Sequence, residues 1–105
     1  MKIIAVIGAG TMGNGIAHVF AQHHYKVHLI DTNEKVLAKA VETIEINLDR
    51  MMAKEIITVD LKWQTLQNIH TFTDLESGVI HADLVVEAVT ENSSIKLEMF
   101  KKLGE

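Results

Sequence analysis

Cysteine and proline are both missing from this 105-residue chain. The first absence rules out disulfides and thiolate metal sites. The second leaves no residue without an amide donor to interrupt a helix or strand, which suits an alternation of the two. Basic clusters are missing as well. Ten Lys and Arg stand against fourteen Asp and Glu, for a formal charge of −4. A nucleic-acid partner is not expected, because binding one requires a basic face that displaces counterions from phosphates. Long apolar runs are also lacking. The longest, Ile3 to Ile7, falls far short of the roughly 20 residues that span a bilayer, so no membrane partner is expected. Met1-Lys2 leads straight into that run with no cleavage-type segment, and a cytoplasmic location is the expectation. The chain is 48% hydrophobic, 23% charged and 5% aromatic, as for one ordinary globular domain or part of one.

Elements can be read from periodicity. Lys2 to Ile7 is a short Ile- and Val-rich run ending at a glycine, the pattern of a buried parallel strand. Met12, Ile16, Val19 and Phe20 recur at helical spacing and predict a first helix reaching about His23 or His24. Lys26 to Ile30 reads as a second strand ending in Asp31. Thr32 or Asn33 can cap the next helix, whose apolar stripe runs from Val36 and Leu37 through Ala40, Ile44 and Leu48 to Met52. Asp60 to Leu66 predicts a short helix, Ile69 to Phe72 a short edge strand and Asp83 to Val89 a fourth strand. Ser93 or Ser94 is expected to cap a last helix with apolar positions Ile95, Met99, Phe100 and Leu103. The order β-α-β-α-β-β-α with right-handed crossovers predicts an α/β fold. It is a Rossmann-type doubly wound parallel sheet of strand order 3-2-1-4, truncated after the fourth strand and its helix.

The chemistry concentrates at Gly8-Ala9-Gly10-Thr11-Met12-Gly13. A GxGxxG match is weak alone, but this one follows a buried strand and opens a helix. An acid, Asp31, closes the next strand eighteen positions after Gly13. Gly8 permits the turn, Gly10 lets the backbone approach a pyrophosphate, and Gly13 brings the helix near the sheet. Free amides at the helix start then hold the negative charge. Asp31 would accept hydrogen bonds from ribose hydroxyls and repel a 2′-phosphate, which favours NAD over NADP. A bare turn with Asp31 as a helix cap is the bland alternative. Flavin adenine dinucleotide and S-adenosylmethionine sites remain open as other cofactors.

The run Ile4 to Ala17, the segment Ala82 to Asn92 with Lys96 and Phe100, and Asn47 to Arg50 with Ala53-Lys54 go beyond a generic fingerprint. They resemble the amino-terminal part of the 3-hydroxyacyl-CoA dehydrogenases, 3-hydroxybutyryl-CoA enzymes included. The resemblance implies that Gly8 through Gly13 (with Ala9, Gly10, Thr11 and Met12) and Asp31 hold NAD, and that Glu91 and Lys96 line the cofactor beyond the fourth strand. It places Lys54, and Asn47 where some relatives carry serine, against the coenzyme A of an acyl-CoA substrate. Glu55 stands where bacterial relatives often have glycine. Residues 1–105 match the first part of the NAD-binding domain only. The family's catalytic His–Glu pair and its helical dimerisation domain have no counterpart among these residues, so no catalytic residue is assigned. His18 and His23 stand five apart on the first helix, which is not metal-ligand spacing, no HExxH pattern occurs, and His28 reads as a hydrogen-bonded core residue; none of the six histidines is assigned to catalysis. With no fifth strand expected, the apolar edge Leu84 to Val89 should lie open and drive self-association into a homo-oligomer. A stand-alone dinucleotide-binding or interaction module without catalysis is the rival reading.

Overall fold

The computed structural model describes residues 2–89 and 94–99. The order is β1 (Ile3–Ile7), α1 (Thr11–Gln22), β2 (Lys26–Ile30), α2 (Glu34–Ala53), α3 (Val59–Gln67), β3 (Ile69–Phe72), α4 (Leu75–Val79), β4 (Leu84–Val89) and β5 (Ser94–Met99). They form one sheet of order β3-β2-β1-β4-β5. The first four strands are parallel, with Ile4 between Val27 and Leu84. The expected 3-2-1-4 arrangement is therefore present, and the central strands are apolar on both faces as a buried parallel sheet requires.

Alternate residues of β1 feed two cores, because successive side chains leave a strand on opposite faces. Ile4 and Val6 join Val27, Leu29 and Val86 beneath α1 and α2. Ala5 joins Ile30, Ala82 and Val85 on the other face, with Phe72 and Val79 packed alongside. α2 presents Leu37, Ala40, Ile44 and Leu48 to the first core, the stripe its sequence predicts. Burying Ile44 or Leu48 completely stabilises the fold by about 2 kcal/mol each.

α1 packs otherwise than its apolar spacing predicts. Its buried residues are Gly13, Asn14, Ala17 and Ala21, and Val19 is 57% exposed. Met12, Ile16 and Phe20 are only partly buried against the core. Close approach is the cause. A Cβ on Gly13 would fall 1.7 Å from the Gly8 carbonyl oxygen, so small residues alone fit between helix and sheet.

The larger correction concerns residues 94–99. They form a strand, not a helix, and pair antiparallel with β4 from Val89↔Ser94 to Leu84↔Met99. Ile95 and Met99 thus stand on β5, while Ser93, Phe100 and Leu103 lie outside the described residues. Ser94 to Met99 alternates polar and apolar residues, the strand period, alongside the helical spacing of Ile95 and Met99. The unpaired backbone groups of β4 decide between the two patterns, since a strand satisfies them and a helix does not. The β4 edge is consequently covered, and the self-association expected from an open edge loses its basis. The five-residue α4 also escaped the sequence reading. Its signal is Asp74, which accepts bonds from the Ser77 amide at 3.0 Å and hydroxyl at 2.6 Å. These bonds, the hydroxyl first, hold the Asp74 carboxyl below its usual range.

Candidate functional site

The strand β1 delivers the chain into the glycine turn at the carboxyl ends of the parallel strands, where ligands bind in open α/β sheets. Gly8 sits at φ +99°, a conformation that L side chains rarely adopt. Its amide donates to the Ile30 carbonyl at 2.7 Å, and a Cβ would lie 2.4 Å from the Ala88 carbonyl oxygen. The turn is thereby gripped between β2 and β4.

Gly10 then takes the N-cap position of α1 and has no side chain with which to cap it. The other three helices are capped by Asn33, Thr58 and Asp74. The first turn of α1 also holds no acidic residue, whereas Glu34, Asp60 and Glu76 stand in the first turns of the others. The amides of Thr11, Met12 and Gly13 thus begin a helix with no side-chain acceptor, at the positive end of its dipole. That is the chemistry of an anion seat.

Asp31 stands directly against this turn. Its Oδ2 accepts from the Ala9 amide at 3.0 Å, and its Oδ1 accepts from the Asn33 amide at 2.9 Å. Asn33, not Asp31, caps α2, accepting from the amides of Lys35 and Val36. The carboxylate therefore ties the glycine turn to the start of α2 and keeps further lone pairs for a ligand. A cavity of about 250 Å³ opens beside it, bounded by Gly8, Thr32, Thr73 and Leu75. Thr73 and Leu75 were not singled out in the sequence. Only the parallel pairing of β2 with β3 carries them to this end of the sheet.

A second hollow, about 320 Å³, lies on the other side of the turn, between α1 and α2. Ala9, Gly10, Thr11 and Asn14 form one wall, and Lys39, Thr43 and Asn47 line the other. Of the two residues matched to coenzyme A, Asn47 is brought to the glycine turn. Lys54 caps the carboxyl end of α2 two turns further on. Glu55 follows at φ +58°, the left-handed C′ position that favours glycine. Glu91 lies outside the described residues. Lys96 is on β5 opposite Glu87, not on a helix after β4.

The histidines take structural places. Nδ1 of buried His28 donates to the Gly78 carbonyl at 2.9 Å, as read from the sequence. His18 donates to Gln22 and His23 to the Val19 carbonyl. Partial burial, with Lys26 and His28 nearby, pulls the pKa of His70 below its ordinary value. Among the described residues no group of three or more acidic or histidine side chains is placed to hold a metal, and no helix is long and apolar enough to cross a membrane.

A glycine turn at the strand ends, an uncapped helix and an acid at the end of β2 define the class of dinucleotide-binding α/β domains. The family model for the NAD-binding domain of 3-hydroxyacyl-CoA dehydrogenases matches residues 3–105, and the chain belongs to that family. Over 98% of its length it is 44% identical to the human mitochondrial hydroxyacyl-coenzyme A dehydrogenase, covering 34% of that protein. It is 42% identical over 95% of its length to a probable 3-hydroxybutyryl-CoA dehydrogenase of Deinococcus radiodurans, covering 35% of it. The crystal structure of (S)-3-hydroxybutyryl-CoA dehydrogenase from Ralstonia eutropha superposes with a TM-score of 0.82 at 36% identity, over 88% of this chain and 32% of that one. The chain thus spans about a third of the length of the curated relatives it matches.

Proposed function

We propose that this chain is the NAD-binding portion of an oxidoreductase that interconverts 3-hydroxyacyl-CoA and 3-oxoacyl-CoA. The observation that carries the reading is the uncapped start of α1 with Asp31 fixed against it. When bound, NAD supplies a hydride acceptor for the 3-hydroxyl carbon. The chain's own part is to bind and orient. The amides of Thr11 to Gly13 neutralise the pyrophosphate, Gly8, Ala9 and Gly10 keep the approach free of side chains, and Asp31 accepts from the ribose hydroxyls. Glu91 and Lys96 join this set on the family resemblance alone, and Asn47 and Lys54 likewise face the acyl-CoA. Residues 1–105 form the amino-terminal part of the domain in a longer, cytoplasmic enzyme whose remaining part supplies the acid–base pair. By themselves they turn over no substrate.

Calorimetric titration of the chain tests this. NAD is expected to bind at least tenfold more tightly than NADP, because the Asp31 charge opposes a 2′-phosphate, a difference of about 1.4 kcal/mol. An Asp31→Ala variant should lose most of that preference along with affinity. A folded chain that binds neither dinucleotide, or binds both equally, overturns the reading.

A further inference from the structure

The interior strand β2 buries Val27, Leu29 and Ile30, yet a histidine stands among them. His28 is only 9% exposed. A polar ring taken out of water costs free energy unless it finds a partner, so the partner it finds identifies what the residue does. That partner is the Gly78 carbonyl, which accepts from Nδ1 at 2.9 Å. The ring also lies 4.6 Å from that of Phe72 on β3.

Gly78 belongs to α4, a helix that cannot hold its own place. At five residues it is far shorter than the roughly 12 that an isolated helix needs in water. Tertiary contacts therefore fix it. Val79 packs against the core of Ala5, Ile30 and Val85, and Gly78 comes so near the sheet that a Cβ there would strike the Ile30 side chain. Apolar contact alone lets so short a helix slide, whereas a satisfied buried hydrogen bond specifies one arrangement. The place of α4 matters to the site. Leu75, its first residue, bounds the cavity beside Asp31 together with Thr73, Ile30 and Ile7. The Asp31 amide itself donates to the Phe72 carbonyl at 3.1 Å, at the end of the strand that leads into α4.

We infer that His28 is a positioning residue for the dinucleotide: by clipping Gly78 to β2 it sets the place of α4, and with it the wall that Leu75 and Thr73 form beside Asp31. It touches no ligand itself. The ribose bound by Asp31 carries a flat base, to which Ile7, Ile30 and Leu75 offer apolar contact. The pyrophosphate seat does not depend on α4, because α1 packs on the other face of the sheet. The inference rests on the dinucleotide reading above, and the two fail in different ways.

The chain and its His28→Leu, His28→Asn and Leu75→Ala variants are titrated with NAD, with ADP and with inorganic pyrophosphate, and circular dichroism reports whether each is folded. Leucine removes the donor, whereas asparagine presents its amide nitrogen where Nδ1 stands. Leu75 is half exposed, so its truncation shortens the wall without opening the core. His28→Leu is expected to bind NAD and ADP about fivefold more weakly, somewhat less than the roughly tenfold cost of a lost direct polar contact. Pyrophosphate, held by the α1 amides alone, should stay within about twofold. His28→Asn should return NAD and ADP to within about twofold of wild type, and Leu75→Ala should weaken both about threefold. A folded His28→Leu that binds NAD and ADP as wild type does overturns the inference. So does an equal fall in pyrophosphate binding, which would mean that the whole fold has loosened. Asparagine that fails to restore affinity overturns it too, as does a Leu75→Ala variant with unchanged ADP binding; these two arms decide the matter even where His28→Leu does not fold. A folded wild-type chain that binds neither NAD nor ADP sinks the dinucleotide reading itself and takes this inference with it.

Discussion

The helices α1 and α2 lie side by side over one core, yet they are held to it in opposite ways. α2 is fixed by side-chain volume, with Leu37, Ile44 and Leu48 filling the core and Asn33 closing its first turn. α1 is fixed by backbone proximity, with Gly13, Ala17 and Ala21 against the sheet and no cap at its start. The helix that stabilises the domain is completed internally, and the helix proposed to meet the dinucleotide is left incomplete. Functional sites are where local rules of stability are expected to yield.

That contrast can be broken by substitution, most severely in the buried faces. Leu48→Ala should cost about 3 kcal/mol through the cavity it leaves. Gly13→Ala, which adds a single methyl group, should cost at least as much, roughly 3 kcal/mol or more, because the backbone of Gly8 must move to admit it. Chemical denaturation measures both. A tolerated Gly13→Ala would mean that α1 is not held by close approach.

A smaller effect is expected at the helix starts. Asn33→Ala removes the cap of α2 and should cost about 1 kcal/mol. Gly10→Asp should do the reverse on α1, raising stability by about 0.5 kcal/mol by placing a carboxylate on the free amides. The same carboxylate occupies the anion seat, so NAD binding should vanish from the calorimeter while the melting temperature rises. Loss of both properties together would show that the start of α1 is not a vacant cap.

An effect of similar size lies where the two helices agree. Each ends in a non-glycine residue with positive φ, His24 at 71° and Glu55 at 58°. Replacing either with glycine should stabilise the chain by up to about 1 kcal/mol, since the left-handed region costs an L residue roughly that much. Unequal gains would reveal that one of these side chains makes compensating contacts.

Much of the domain was legible in its residues. Ile- and Val-rich runs, glycines and caps are local signals, and they placed the first four strands, three of the helices and the strand order. The turn from Gly8 to Gly13 and its contact with Asp31 were equally readable, because the glycines and the acid stand at fixed spacing between recognisable strands and a helix. A cap at Thr32 or Asn33 was readable from residue type and position before a helical stripe, and the structure selects Asn33. Asn14 was not singled out, for nothing local distinguishes an asparagine on a solvated helix face from one nine-tenths buried beside a groove.

By itself, then, the sequence determined the parallel sheet, the glycine turn and the family to which the chain belongs, since these follow from short-range patterns that admit few alternatives. Tertiary structure decided which face of α1 is buried, because apolar periodicity cannot register that the helix must come within touching distance of the Gly8 backbone. It also decided the state of residues 94–99, where strand and helix patterns coexist and the unpaired edge of β4 selects the strand. Both outcomes depend on the partner a segment meets across space, and no pattern along the chain encodes that partner.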